Sequence, residues 1–274
     1  MNGFMDFGVP PSKSGRSALE IAIDAAKAAG SITRARVRDV LEVSFKGRGN
    51  PVTDVDKAAE KAALSILRRE YPEFGIQAEE SPRVDSSTPY RWIVDPLDGT
   101  RNYVVGIPHF CTAVALARGD DVLAAATYDP LKEELFQSVK GGGAFLNGRR
   151  LRVTAKKSLE DCVVGFDMGY SDERARQGLE LVRHLWPGFQ SLRLMGSAAL
   201  GMAYAACGRM DVYFHHRLAP WDVAGGLLLV REAGGVALDR YGKPATPDSE
   251  SVVASSGGVV EGFMAATEGL DWRR

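Results

Sequence analysis

Apolar and polar positions divide the chain into a helical opening, a run of strands, and a second half in which strands alternate with helices. Residues 1–16 are rich in Gly, Pro and Ser and are expected to form a loose arm. After them "ALEIAIDAAKAAGSITRARV" carries apolar residues at helical spacing on good helix formers. "LEVSFK" alternates and predicts a strand, and "GRGNP" a loop. "TDVDKAAEKAALSILRREYP" predicts a second helix, with Thr53 and Asp56 in capping-box spacing and Pro72 just past its end. "FGI" is a short strand-like run, and "RWIVDP" reads as a buried strand stopping at Asp95. "FCTAVALAR", "VLAAATYDP" and "ELFQSVK" predict three successive strands, and Asn147-Gly148 in "GGGAFLNGRRLRV" signals a hairpin.

From "CVVGFDMG", a strand, the period changes. "DERARQGLELVRHLW" is an amphipathic helix and "SAALGMAYAACGRM" a helix of small residues; "DVYFHH" is a strand. "WDVAGGLLLVREAGG" is a buried helix closed at Gly234-Gly235, followed by the strand "GVALD". The expected class is therefore α+β: an α+β half with an antiparallel sheet over residues 1–150, and an α/β half over 151–274 packed on it.

Composition narrows the function classes without choosing one. A chain of 274 residues can bury a large core, and 45% hydrophobic with 25% charged residues is ordinary for a globular protein. A formal net charge of -1, from 34 basic and 35 acidic side chains, offers no field for a nucleic acid or a membrane surface. The N-terminus lacks the basic start and apolar run of a signal peptide, and "LLLV" is too short to span a bilayer. Cys111, Cys162 and Cys207 form no C-x-x-C pair and read as free thiols, so a cytoplasmic location is expected.

The chemistry collects in acidic residues at the ends of elements. "WIVDPLDGTRNY" sets Asp95 and Asp98 around a proline and closes with Gly99-Thr100. Alone, this is equally a turn, since Asp-Pro and Asp-Gly are turn dipeptides. Glu79 and Glu80 stand in "QAEES", while Asp54 and Asp222 stand where helices begin, the usual place of a cap. Taken together these carboxylates, with no Cys or His among them, make an oxygen-only ligand set. Hard cations such as Mg²⁺ favour such a set and Zn²⁺ does not.

On "WIVDPLDGTRNYVVGIPHF", "PWDVAGGLLLVREAGG", "AEES" and "PVTDVDKAAE", the sequence resembles the inositol monophosphatase family of Mg²⁺-dependent, lithium-sensitive phosphatases, from about Ala18 to about Ser256. The resemblance implies a layered α-β-α-β-α sandwich of the inositol monophosphatase and fructose-1,6-bisphosphatase type, and a homodimer. It implies two or three Mg²⁺ held by Glu79, Asp95, the Leu97 carbonyl, Asp98 and Asp222, with Lys46 nearby. Thr100 backed by Asp54 would activate the attacking water, with Asp98 also at the reacting centre and no covalent enzyme intermediate. Gly99 and Thr100 would present amides to the phosphate, with Gly196, Ser197, Ala198, His215 and Asp222 beside the substrate. Phe166, Asp167 and Met168 would fall in a neighbouring recognition loop.

Where the family's inositol phosphatases place a glutamate, seven residues before Asp222, this chain has His215. An imidazole alters hydrogen bonding and can alter charge, which points either to an incidental exposed loop or to a second anion on the substrate. The partner expected is a small phosphorylated metabolite: inositol 1-phosphate first, with histidinol phosphate, a 3′-phosphoadenosine phosphate or a sugar bisphosphate as alternatives. A non-catalytic member acting through a protein partner is a further alternative, weighed down by the complete acidic set. An aspartyl-nucleophile phosphatase is excluded because Pro96 stands two before Asp98, and "GGGAFLNG" lacks the Gly-Lys-Ser/Thr of a P-loop. His109, His184, His215 and His216 have no metal-ligand spacing with Cys, and Met195 and Met202 read as core.

Overall fold

The computed structural model describes residues 8–39, 42–47 and 49–274. In chain order the elements are α1 (Ala18–Arg36), β1 (Val43–Gly47), β2 (Asn50–Thr53), α2 (Asp54–Glu70), β3 (Gly75–Ala78), β4 (Tyr90–Asp98), α3 (Thr100–Val104), β5 (Cys111–Arg118), β6 (Asp121–Asp129), β7 (Glu134–Val139), β8 (Gly143–Leu146) and β9 (Arg149–Arg150). There follow β10 (Val163–Phe166), α4 (Asp172–Leu185), β11 (Ser191–Arg193), α5 (Ala198–Ala206), β12 (Val212–His215), α6 (Pro220–Glu232), β13 (Val236–Leu238), β14 (Val252–Ser255) and α7 (Gly257–Ala266).

Strands β3 to β9 form one sheet in sequence order, antiparallel except for the β3–β4 pair. A mixed sheet of order β11-β10-β12-β14-β13 forms the second. Alternation of side chains sorts each strand between two layers. Val212 and Phe214 of β12 face the cluster holding Leu181 and Leu185 of α4 and Val260 and Phe263 of α7, whereas Tyr213 faces α5. On the larger sheet, Ala124 and Ala126 meet α1 and α2, while Ala125 meets Ala224 and Leu228 of α6. Helices α5 and α6 thus lie between the sheets, α1 and α2 outside one and α4 and α7 outside the other, which is the expected α-β-α-β-α order.

That middle layer is thin because its residues are small. A Cβ on Gly201 would stand 2.3 Å from the Tyr213 ring, and one on Gly226 would stand 2.5 Å from Met202 Cβ. The two helix starts that matter below are fixed by local chemistry. Thr53 and Asp56 form the capping box of α2, and α6 opens with Pro220 at its first turn and Asp222 closing onto the Ala219 amide at 2.7 Å.

Several expectations are corrected. Residues 1–7 of the expected loose arm lie outside the described residues, but Val9 and Ser12 are buried and Tyr90 donates to the Gly8 carbonyl at 2.6 Å. "GRGNP" is the turn of a β1–β2 hairpin and the start of β2, with Gly49 at φ 69° making the reversal; Arg48 lies outside the described residues. β4 continues past Asp95 through a bulge to Asp98. Strands β11 and β14 and helix α7 were not foreseen. β11 is a three-residue edge, and α7 opens on Gly257-Gly258, which are poor helix formers.

Candidate active site

The bulge at the end of β4 creates the site's first two acids. Asp95 is 1% exposed and its Oδ1 accepts the Leu97 N–H at 2.9 Å, an Asx turn that reverses the chain over Pro96. Gly99, at φ 96°, lets α3 begin at Thr100; a Cβ there would lie 2.9 Å from the His109 carbonyl oxygen. The third acid arrives from the other half of the chain, at the start of α6. One carboxylate oxygen each of Asp95, Asp98 and Asp222 lies within 4.8 Å of the others, facing a cleft of about 300 Å³.

These acids are held apart from water and close to one another. Burial first, then the charges of Glu79, Asp98 and Asp222, push the Asp95 carboxyl well above its usual range. Burial and Asp98 do the same to Asp222, and burial raises Asp98 to about 6. Such a set is costly with nothing between its members, and a divalent cation would relieve the repulsion. The donors are all oxygens, three of them carboxylate, so the residues fit a hard cation.

Each acid accepts at least one backbone amide, which fixes its direction. Asp98 accepts the Ser197 hydroxyl at 2.5 Å and the Ala199 and Ala198 amides at 2.8 and 3.3 Å, all from the start of α5. Ser197 and Ala198 line the cleft, yet these groups serve Asp98 rather than standing free for substrate. Glu79 also lines the cleft but stands outside the group of three, its carboxylate held by Lys46 at 3.0 Å. Lys46 also binds Glu80 at 2.5 Å. Leu97 lines the cleft, and its carbonyl oxygen lies 2.9 Å from Thr100 Oγ1, within reach of the same hydroxyl hydrogen that Asp56 can accept.

The partner of Thr100 is Asp56, not Asp54. Thr100 Oγ1 lies 3.0 Å from Asp56 Oδ1, while Asp56 Oδ2 receives the Thr53 N–H at 2.8 Å and the Thr53 hydroxyl. Asp56 is 1% exposed and burial raises its carboxyl above the usual range. Asp54, two residues earlier on the same helix, turns outward, where Arg36 binds it at 2.6 Å and the Glu42 amide at 3.2 Å. Position N3 of the helix, which aims back across the cap, is the one that reaches Thr100. The capping-box spacing was visible in the sequence, but it disclosed only the cap.

His215 ends β12 inside the cleft and is 4% exposed, so the incidental-loop reading fails. Burial, reinforced by His216 stacked on it at 4.9 Å, lowers it to about 3, so it is neutral and adds no charge. Its Nδ1 accepts the Arg217 N–H at 3.1 Å, which leaves the proton on Nε2 as a donor. Of the recognition-loop candidates, Phe166 is core, stacked on Phe214, and Asp167 is buried; Met168 is exposed at the cleft. Two further residues escaped the sequence reading. Arg101 spans the rim, donating to the Gly49 and Gly169 carbonyls at 2.6 and 2.9 Å with Tyr170 beneath it, and Asn102 ties α3 to the Met195 carbonyl at 2.7 Å. Both are ordinary polar residues in sequence, with no spacing to mark them.

Among the described residues no helix is long and apolar enough to cross a membrane, and all three cysteines are free. The chain is 42% identical over 219 residues to an inositol-1-monophosphatase of Rhizobium meliloti, covering 79% of this chain and 82% of that one. It is 40% identical over 235 residues to the Nus factor SuhB of Xylella fastidiosa, covering 84% of each. The crystal structure of the extragenic suppressor protein suhB from Bartonella henselae superposes with a TM-score of 0.86 at 35% identity, over 91% of this chain and 98% of that one. The family model for the inositol monophosphatase family matches residues 15–270, and the chain belongs to that family.

Proposed function

We propose that the protein is a Mg²⁺-dependent, lithium-sensitive phosphomonoesterase acting on a small phosphorylated metabolite, with inositol 1-phosphate as the leading substrate. The observation that carries this is the meeting of Asp95, Asp98 and Asp222, from two distant segments, within 4.8 Å of one another beside the Thr100–Asp56 pair. Asp95, Asp98 and Asp222, joined by Glu79 and the Leu97 carbonyl, would hold the cation. Bound Mg²⁺ supplies charge stabilisation to the phosphoryl and leaving oxygens and acidifies water.

The chain's own residues handle the proton. Thr100 donates its hydroxyl hydrogen to Asp56, which leaves a lone pair of Oγ1 to accept a proton from the attacking water. Burial makes Asp56 a stronger base than an exposed aspartate, suited to receive that proton by way of Thr100. The water oxygen bonds to phosphorus as its proton passes by way of Thr100 to Asp56, the ester P–O bond breaks, and the leaving alkoxide takes a proton from solvent to depart as the alcohol. Gly99 and Thr100 line the cleft where their amides would meet the phosphate, and His215 Nε2–H would offer a donor to a substrate oxygen.

The chain's relatives include proteins named Nus factor SuhB. A partner-binding role without turnover is therefore the second reading, and the intact acidic set with its proton-accepting pair supports turnover. Phosphate release from inositol 1-phosphate, histidinol phosphate, a 3′-phosphoadenosine phosphate and a sugar bisphosphate, with Mg²⁺ and with lithium added, tests the proposal. Mg²⁺-dependent release that lithium suppresses supports it; no release from any ester refutes it.

A further inference from the structure

Asp167 is the first residue beyond β10, 6% exposed, in a cleft already crowded with acids. All its hydrogen bonds run to one turn and its support. Oδ1 accepts the Met195 and Gly196 amides at 2.8 and 2.6 Å, and Oδ2 accepts the Tyr213 hydroxyl at 2.9 Å. From the opposite side Asn102 Nδ2 donates to the Met195 carbonyl at 2.7 Å, so the turn is gripped by both its amides and its carbonyl. Gly196 takes φ 79° between the two grips, where a Cβ would approach Asn102 Nδ2 to 3.1 Å. The next three residues, Ser197, Ala198 and Ala199, are those that bind Asp98.

We propose that Asp167 is a positioning residue for Asp98: by fixing the turn at 194–196 it sets where the α5 start binds the Asp98 carboxylate, and so how firmly the cleft captures a divalent cation. The proposal rests on the metal-dependent reading above. Asp167 makes no hydrogen bond to Asp98, although its charge adds to the repulsion on that carboxylate, and it positions Asp98 through the Ser197 hydroxyl and the two following amides. Groups that orient metal ligands in this way change cation affinity by about 10- to 100-fold when removed.

Acceptor geometry, not charge, is what the turn requires. Asparagine at 167 keeps Oδ1 for both amides and can donate from Nδ2 to the Tyr213 oxygen. Glutamate keeps the charge but displaces the acceptor by a methylene. Alanine removes the acceptor altogether.

The test compares Asp167→Ala, Asp167→Asn and Asp167→Glu with the parent protein, using Mn²⁺ binding by calorimetry, melting temperature, and kcat and KM where an ester is turned over. The expected result is Mn²⁺ binding weakened about tenfold or more in Asp167→Ala and Asp167→Glu, with KM for the ester little changed, and binding in Asp167→Asn within about threefold of the parent. Parent-like Mn²⁺ binding in Asp167→Ala or Asp167→Glu overturns the proposal, even if melting temperature falls. So does an Asp167→Asn protein as weak as Asp167→Ala. If Asp167→Ala does not fold, the Asn and Glu variants decide alone. If the parent protein binds Mn²⁺ but hydrolyses no ester, the phosphatase reading falls while the binding comparison still decides this one.

Discussion

Replacing Asp56 by asparagine is the sharpest perturbation of the proposed chemistry. The amide oxygen of the Asp56→Asn side chain would still accept from Thr100, but it could no longer take a proton. Its amide nitrogen would face the Thr53 N–H and hydroxyl that Asp56 Oδ2 now accepts at 2.8 and 2.5 Å. Losing that half of the capping box and leaving one buried donor unpaired costs about 1–3 kcal/mol of stability. Losing a positioned proton acceptor costs about 10²–10⁴ in rate, or roughly 3–5 kcal/mol of transition-state stabilisation. Asp54→Asn is the control: its carboxylate is on the outer side of the same helix, paired with Arg36, and its loss should leave kcat within a few-fold of the parent. The assay is phosphate release at saturating Mg²⁺, with the melting temperature of each variant measured alongside. Parent-like kcat in folded Asp56→Asn, or collapse in Asp54→Asn alone, would refute the assignment of the base.

The remaining predictions concern the cation and the substrate. Asp98, raised to about 6, and Asp95 and Asp222, raised well above the usual range, all hold protons more tightly when folded than when unfolded. Their contribution to stability is therefore present below about pH 4 and lost as pH rises through about 6 and beyond, in the metal-free protein. Mg²⁺ should accordingly raise the melting temperature more at pH 8 than at pH 5, and an equal shift at both would contradict the site's electrostatics. Asp95→Asn should abolish most turnover while the circular dichroism spectrum stays that of the parent; near-normal turnover at saturating Mg²⁺ would count against Asp95 as a ligand. His215→Glu exchanges a neutral donor for an acceptor and should raise kcat/KM for inositol 1-phosphate relative to a 3′-phosphoadenosine phosphate. An unchanged ratio would mean that His215 does not read the substrate.

What the sequence disclosed follows from the range of the forces involved. The helices of Ala18–Arg36 and Asp54–Glu70, the antiparallel run from Cys111 to Val139 and the Asn147-Gly148 hairpin rest on local periodicity, caps and turn residues, and they were legible. Val252–Ser255 and Gly257–Ala266 depend on the sheet they join, and went unread. In the site, Asp95, Asp98 and Asp222 were legible through long motifs. Asp56 was hidden because its capping role already accounted for it, and the outward turn of Asp54 depends on Arg36 across the helix pair. His215 was visible as a departure, but its neutrality comes from burial at a strand end, which no local pattern shows.

Crystals grown or soaked with Mn²⁺ and measured at an anomalous wavelength test the central claim most directly. Anomalous density bonded to carboxylate oxygens of Asp95, Asp98 and Asp222 is the predicted result. An empty cleft at millimolar Mn²⁺, with the three carboxylates still within 4.8 Å of one another, would contradict it.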